Sequence, residues 1–188
     1  TGLAPFRAFI AHRLLEGKAQ AAAREAAAAA ADAEAGRKHK SLEDGKYHGG
    51  EMVLFFGCRR KDQDFLYGKQ LTKWAKDKVL TLHTAFSREQ TAKVYVQDRL
   101  RGAADAVWAL LHDQGGHFYV CGDASSMAGA VEAALLQIIG ARLSPEEAAA
   151  LRAQAAAKAA PGTQPAEPAQ VYLDNLSATG RYQRDVWY

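Results

Sequence analysis

The sequence predicts an α/β fold built on a doubly wound parallel sheet, and three observations carry that reading. The runs Met52-Val53-Leu54-Phe55-Phe56-Gly57-Cys58 and Phe118-Tyr119-Val120-Cys121 are apolar almost throughout, as strands buried on both faces of a parallel sheet are. Segments with helical spacing of apolar residues separate such runs, a rhythm that builds parallel sheets through helical crossovers. Gly122 follows the second run and lets the backbone turn tightly into a helix. Small molecules bind beyond the carboxyl ends of such strands, so Cys121, Gly122 and Asp123 are site candidates.

The chain of 188 residues is long enough for one domain with a real core, taken as 1–188. Its net charge of +3 mixes 24 basic with 21 acidic residues, which argues for neither nucleic acid nor a membrane surface as partner. Cys58 and Cys121 end apolar runs without zinc or redox spacing, so reduced thiols and no disulfide are expected. There is neither a run of about 18 apolar residues nor a signal peptide, so no membrane segment is expected in this chain.

Thr1-Gly2-Leu3-Ala4-Pro5-Phe6-Arg7-Ala8-Phe9 reads as a loop opening a helix, with Gly2 suited to a close backbone approach and Pro5 near the first turn. A strand should feed this turn and is absent, so the chain is expected to be a fragment lacking its first strand. Residues 16–50 read as an insertion, Ala-rich to Gly36 and polar from Arg37 on; lacking a large apolar stripe, the helix should protrude or fray. A helix is expected over Asp64–Trp74, and Val79–Phe86 as the next strand. Tyr95–Asp113 has helical spacing with a weak point at Gly102. Ser126–Leu143 is the next helix. Ser144-Pro145-Glu146-Glu147 opens another through a capping box, and Pro161–Pro168 reads as a linker, making 144–169 an Ala-rich helix with a Pro-rich end. Val171–Ser177 supplies a short helix, and the alternation from Tyr182 to Tyr188 a final strand.

Phosphate-loop, zinc, protease and kinase motifs are missing, and no metal site is expected. The informative stretch is Ser87-Arg88-Glu89-Gln90-Thr91-Ala92-Lys93-Val94-Tyr95-Val96-Gln97. A hydroxyl, a guanidinium and an ammonium near one strand end offer the charge-assisted donors that a phosphate monoester needs, and Tyr95 can stack on a purine. Folds that prefer NAD place an acid at the ribose 2′-hydroxyl, whereas an Arg there accommodates a 2′-phosphate, so Ser87-Arg88 favours NADP. A solvated helix start with scattered cations is the plain alternative.

Five blocks then carry a family resemblance: Thr1–Arg7; Phe56-Gly57-Cys58-Arg59 with Asp64-Phe65-Leu66-Tyr67; Ser87 to Gln97; Val120-Cys121-Gly122-Asp123 with Met127-Ala128; and Gly180-Arg181-Tyr182-Gln183-Arg184-Asp185-Val186-Trp187. In that order they resemble the NADPH-binding half of the diflavin reductases, above all the P450 reductases. The resemblance implies a Rossmann-like, ferredoxin–NADP reductase-like NADP-binding domain with Ala-rich helical insertions. It implies that Ser87, Arg88 and Lys93 hold the 2′-phosphate, with Tyr95 at the adenosine and Gln97 supporting that pocket. Thr1 would contact the pyrophosphate or nicotinamide side, and Asp123 and Met127 would line the dinucleotide path. Cys121 and Asp185 would assist hydride transfer from NADPH to FAD, while Trp187 would cover the flavin and swing aside. Without the resemblance, Cys121 reads as a small buried hydrophobe, Trp187 as a packing residue and Asp185 as a solvated acid.

The resemblance further implies a parent protein with FAD- and FMN-binding domains, a cytochrome P450 or other haem protein as acceptor, and a cytosolic face, with an endoplasmic reticulum anchor as one arrangement. Neither the Arg-x-Tyr-Ser signature that holds FAD in the family nor an FMN domain is in this chain. This chain alone is therefore expected to bind NADP(H) without passing electrons on. Sibling diflavin enzymes (methionine synthase reductase, sulfite reductase flavoprotein, iron–sulfur assembly reductase) and a non-catalytic nucleotide-binding module stay open as alternatives.

Overall fold

Apolar runs become strands where both faces find a helix to cover them. In the computed structural model, which describes residues 2–38, 50–160 and 162–188, β1 (Val53–Cys58) pairs in parallel with β2 (Thr81–Phe86). The β3 strand (Phe118–Asp123) pairs in parallel with β4 (Tyr182–Trp187). Helices α2 (Lys61–Asp64) and α3 (Gly68–Lys76) make the first crossover; α6 (Met127–Arg142), α7 (Pro145–Lys158) and α8 (Pro168–Ala178) make the second. Between the strand pairs the chain runs through α4 (Val96–Gly102), α5 (Ala104–Trp108) and a π-turn at Ala109–Asp113. The expected α/β fold with parallel strands is present, with one difference: the strands form two parallel pairs rather than one continuous sheet.

Each pair has its own core. Leu3 and Ile10 of α1 (Leu3–Glu34), Leu54, Phe56, Leu71 and Leu80 close over β1 and β2. Val120 and Tyr182 join Leu100, Val107, Leu135 and Ile139 around β3 and β4. Burial of such side chains contributes roughly 1.5–3 kcal/mol apiece.

Several boundaries differ from the sequence expectation for tertiary reasons. The helix expected over 64–74 is broken, because the Phe65 ring turns into the core against Phe56 at 5.4 Å and Phe86 at 5.5 Å. Tyr67 then takes a left-handed conformation (φ 55°), and a Cβ on Gly68 would lie 2.5 Å from the Phe65 ring. The 95–113 segment breaks after Gly102, the weak point, and its end widens into the π-turn. The strand expected from Val79 begins at Thr81, with Val79 and Leu80 buried ahead of it. Pro168, read as linker, is instead the first residue of α8, where proline fits the opening turn. The capping box forms as expected: Glu147 N–H donates to Ser144 Oγ (3.2 Å) and Ser144 N–H to Glu147 Oε2 (2.8 Å). The Ala-rich stretch continues α1 as one 32-residue helix whose distal part is largely exposed. The rest of the expected insertion, 39–49, lies outside the described residues.

Candidate nucleotide and hydride site

Two loop systems at the strands' carboxyl ends gather the candidate residues. At the end of β2, the Ser87 N–H donates to the Cys58 carbonyl and the Arg88 N–H to the Arg59 carbonyl, both at 3.0 Å, so this loop is laced to the end of β1. Glu89 reaches across to accept from the Lys61 N–H at 2.6 Å, and Gln90 donates to the Phe86 carbonyl at 2.7 Å. The Lys61 bond, invisible in the motif, occupies the loop's one acid, and the Gln90 bond fastens the loop to the end of β2. Arg88 and Lys93 are exposed, and among the described residues neither side chain is paired with a carboxylate. Ser87 and Gln97 are half-buried, and Tyr95, exposed, starts α4 with its N–H bonded to Asp98 Oδ2 (2.8 Å). Two unpaired cations and a hydroxyl on one short loop fit a phosphate dianion.

At the ends of β3 and β4, Cys121 lies opposite Asp185 and Asp123 opposite Trp187 in the parallel register. The Cys121 thiol donates to Asp185 Oδ2 across 3.6 Å. Burial first, then the Asp185 charge, pushes its pKa up, so it stays a thiol. Gly2 abuts the same place: a Cβ there would lie 1.9 Å from the Cys121 carbonyl oxygen. This is the close approach expected of Gly2, and it brings the start of α1 onto the end of β3. Gly122, at φ 144°, makes the turn, with Met127 Cε 2.7 Å from where its Cβ would be.

Asp123 is occupied locally. Its carboxylate accepts from the hydroxyls of Ser125 and Ser126, both at 2.6 Å, and from the backbone N–H groups of Ser125, Ser126 and Met127. These bonds, the Ser125 and Ser126 hydroxyls foremost, hold its pKa well below the usual carboxylate range. Asp123 thus braces the first turn of α6 beside the site; the hydroxyls two and three residues after an acid were the available signal. Trp187 is 44% exposed, and its carbonyl accepts from the Ala124 N–H at 2.8 Å. The backbone is pinned while the indole is free to be covered. Behind it, Arg184 pairs with Glu132 Oε2 at 2.6 Å, and Tyr182 Oη donates to the same oxygen at 3.2 Å, tying β4 to α6. Thr1 lies outside the described residues. Among those described, no cluster of acids, His and Cys could hold a metal ion, and no helix is long and apolar enough to cross a membrane.

Comparison with known proteins shows the family. Residues 1–133 match the family described as "Oxidoreductase NAD-binding domain". The chain belongs to that family. The NADPH–cytochrome P450 reductase of Musca domestica is 34% identical over 187 residues, 100% of this chain and 21% of that protein. The NADPH oxidoreductase A of Dictyostelium discoideum is 43% identical over 141 residues, 75% of this chain and 19% of that protein. The NADPH–cytochrome P450 reductase of Bos taurus is 41% identical over 139 residues, 73% of this chain and 18% of that protein. The chain therefore spans about a fifth of the length of these relatives. Matches to such reductases support the expected kinship with the P450 reductases.

Proposed function

We propose that this domain binds NADP(H) with Ser87, Arg88 and Lys93 on the 2′-phosphate, and presents the nicotinamide beside Cys121, Asp185 and Trp187. Tyr95 stacks near the adenosine, Gln97 backs that pocket, and Met127 lines the dinucleotide path between its two ends. When bound, NADPH supplies the hydride and FAD accepts it, with FMN and then a cytochrome P450 or another haem protein further along in the longer protein. Membership of a reductase family and relatives of the P450 reductase type support that order, and a cytosolic domain tethered to the endoplasmic reticulum is consistent with it.

The chain's own residues do four things. Arg88 and Lys93 recognise the phosphate through charge-assisted donors. The Cys121 thiol, kept protonated, fills the space beside the reacting carbon without competing as a nucleophile. Asp185, one hydrogen bond away, places negative charge where positive charge develops as hydride leaves a nicotinamide. Trp187, exposed at the end of β4, would cover a bound flavin and give way to the nicotinamide, so that water would be kept from the transfer.

The observation that carries the reading is the pair of exposed, unpaired cations Arg88 and Lys93 beside Ser87 on one loop, with Glu89 drawn off by the Lys61 N–H. Calorimetric titration of this chain with NADP⁺ and NAD⁺ tests it. Contacts of about 1.5–3 kcal/mol each favour NADP⁺ by roughly a hundredfold or more, and Arg88→Ala removes most of that preference. Equal affinities for the two nucleotides, unchanged in Arg88→Ala, would refute the assignment.

A further inference from the structure

Ser87-Arg88-Glu89-Gln90 sets an acid directly after the cation assigned to the phosphate, and Lys93 follows four residues later. A free carboxylate at that spacing can pair with the guanidinium or the ammonium, and either pairing takes up a donor that a phosphate dianion needs. Among the described residues Glu89 makes neither pairing. Its Oε1 instead accepts from the Lys61 N–H at 2.6 Å, 28 residues back in the chain.

Lys61 is the first residue of α2, so its N–H is one of the donors that a helix start leaves without an intrahelical partner. The residue before it, Arg60, makes no side-chain cap bond, and Glu89 supplies the acceptor from the other loop. Three bonds thus close the loops after β1 and β2 on each other. Ser87 and Arg88 donate their backbone N–H groups to the carbonyls of Cys58 and Arg59, and Glu89 completes the series. The first two are backbone bonds open to any residue except proline; the third depends on the Glu89 side chain and has a charged acceptor, which makes it the stronger kind. The Cys58 thiol registers that carboxylate: burial first, then the charges of Asp64 and Glu89, pushes it up to about 11. Arg88 therefore leaves the loop between two fastened neighbours, with its own side chain exposed.

We propose that Glu89 is a positioning residue for recognition of the 2′-phosphate: its bond to the Lys61 N–H fixes the stretch that carries Arg88 and keeps its own carboxylate from pairing with Arg88 or Lys93. This rests on the assignment of the 2′-phosphate to Ser87, Arg88 and Lys93. It carries a sign that charge alone does not. An acid near a phosphate repels it, so deleting Glu89 as a mere charge would tighten NADP⁺ binding. Deleting it as a fastening weakens NADP⁺, because the loop must then be ordered at the moment of binding. NAD⁺ has no phosphate for this loop to hold, so its affinity stays the same.

Calorimetric titration of the chain with NADP⁺, NAD⁺ and 2′,5′-ADP, which carries the phosphate without the nicotinamide, distinguishes the two. Glu89→Ala is expected to weaken NADP⁺ and 2′,5′-ADP by about tenfold and NAD⁺ by less than about twofold. Glu89→Gln, whose amide oxygen can accept the same bond, keeps both phosphate ligands within about threefold of the native chain. Lys61→Pro reaches the bond from its other end: proline suits the first position of a helix and removes the N–H that Glu89 uses, whereas Lys61→Ala retains it. Lys61→Pro is expected to weaken NADP⁺ as Glu89→Ala does, Lys61→Ala is not, and the double variant Lys61→Pro, Glu89→Ala is no weaker than either single one. NADP⁺ affinity unchanged or raised in Glu89→Ala would overturn the proposal, as would additive losses in the double variant. Arg88→Ala tells the two failures apart. A preference for NADP⁺ that survives Arg88→Ala removes the phosphate assignment and this role of Glu89 with it; a preference lost in Arg88→Ala but kept in Glu89→Ala removes the role of Glu89 alone.

Discussion

Cys121 and Asp185 are 64 residues apart and stand opposite each other in the β3–β4 register, with the thiol 3.6 Å from Asp185 Oδ2. The carboxylate thereby acts on the thiol as both acceptor and like charge, on top of burial. Neither residue has this environment without the other's strand.

That coupling has a measurable sign. Asp185→Asn removes a charge that disfavours the thiolate, so the Cys121 pKa falls but stays above its ordinary value because burial remains. In a Cys58→Ser background, the pH profile of alkylation by iodoacetamide shifts to lower pH in Asp185→Asn. A profile that stays in place or moves upward contradicts the coupling.

Asp123 gives a stability signal that depends on pH. Its folded pKa lies below the unfolded value of about 3.9, so its contribution is complete above that value and fades as pH falls through the folded pKa. The difference in thermal midpoint between the native chain and Asp123→Asn is therefore largest near neutrality and shrinks below about pH 4. A difference constant from pH 7 to pH 2 would show that the Ser125 and Ser126 bonds do not depend on the carboxylate's charge.

Gly2→Ala places a methyl group inside the Cys121 carbonyl, and backbone on both sides must give way. The expected cost is about 1–3 kcal/mol, read as a lower urea midpoint, with α1 lifted from the end of β3. An Ala variant as stable as the native chain would mean that this approach is looser than the geometry indicates.

Leu135, fully buried at the centre of the second core, provides the reference for ordinary packing. Leu135→Ala is expected to cost about 2–5 kcal/mol in denaturant unfolding without changing the NADP⁺ over NAD⁺ preference. Loss of that preference at constant fold would mean the nucleotide site reaches further into α6 than the loops described.

By itself the sequence determined the local features: two apolar runs that had to be buried strands, a break near Gly102, the Ser144–Glu147 box, and a loop from Ser87 to Lys93 whose residue types suit a phosphate. These were legible because period, caps and glycine turns act within a few residues, where the chain's own covalent geometry sets the outcome. The same local logic put Gly2 at a close approach without naming what it approaches. Only the tertiary structure decided that this neighbour is the Cys121 carbonyl, that Glu89 is drawn off by the Lys61 N–H, and that Asp123 spends its hydrogen bonds on Ser125 and Ser126. It also decided that Phe65 breaks a helix to reach Phe56 and Phe86, and that the strands form two pairs. Each of these rests on residues far apart in sequence meeting through packing, whose energy is shared among many side chains and leaves no mark at any one position.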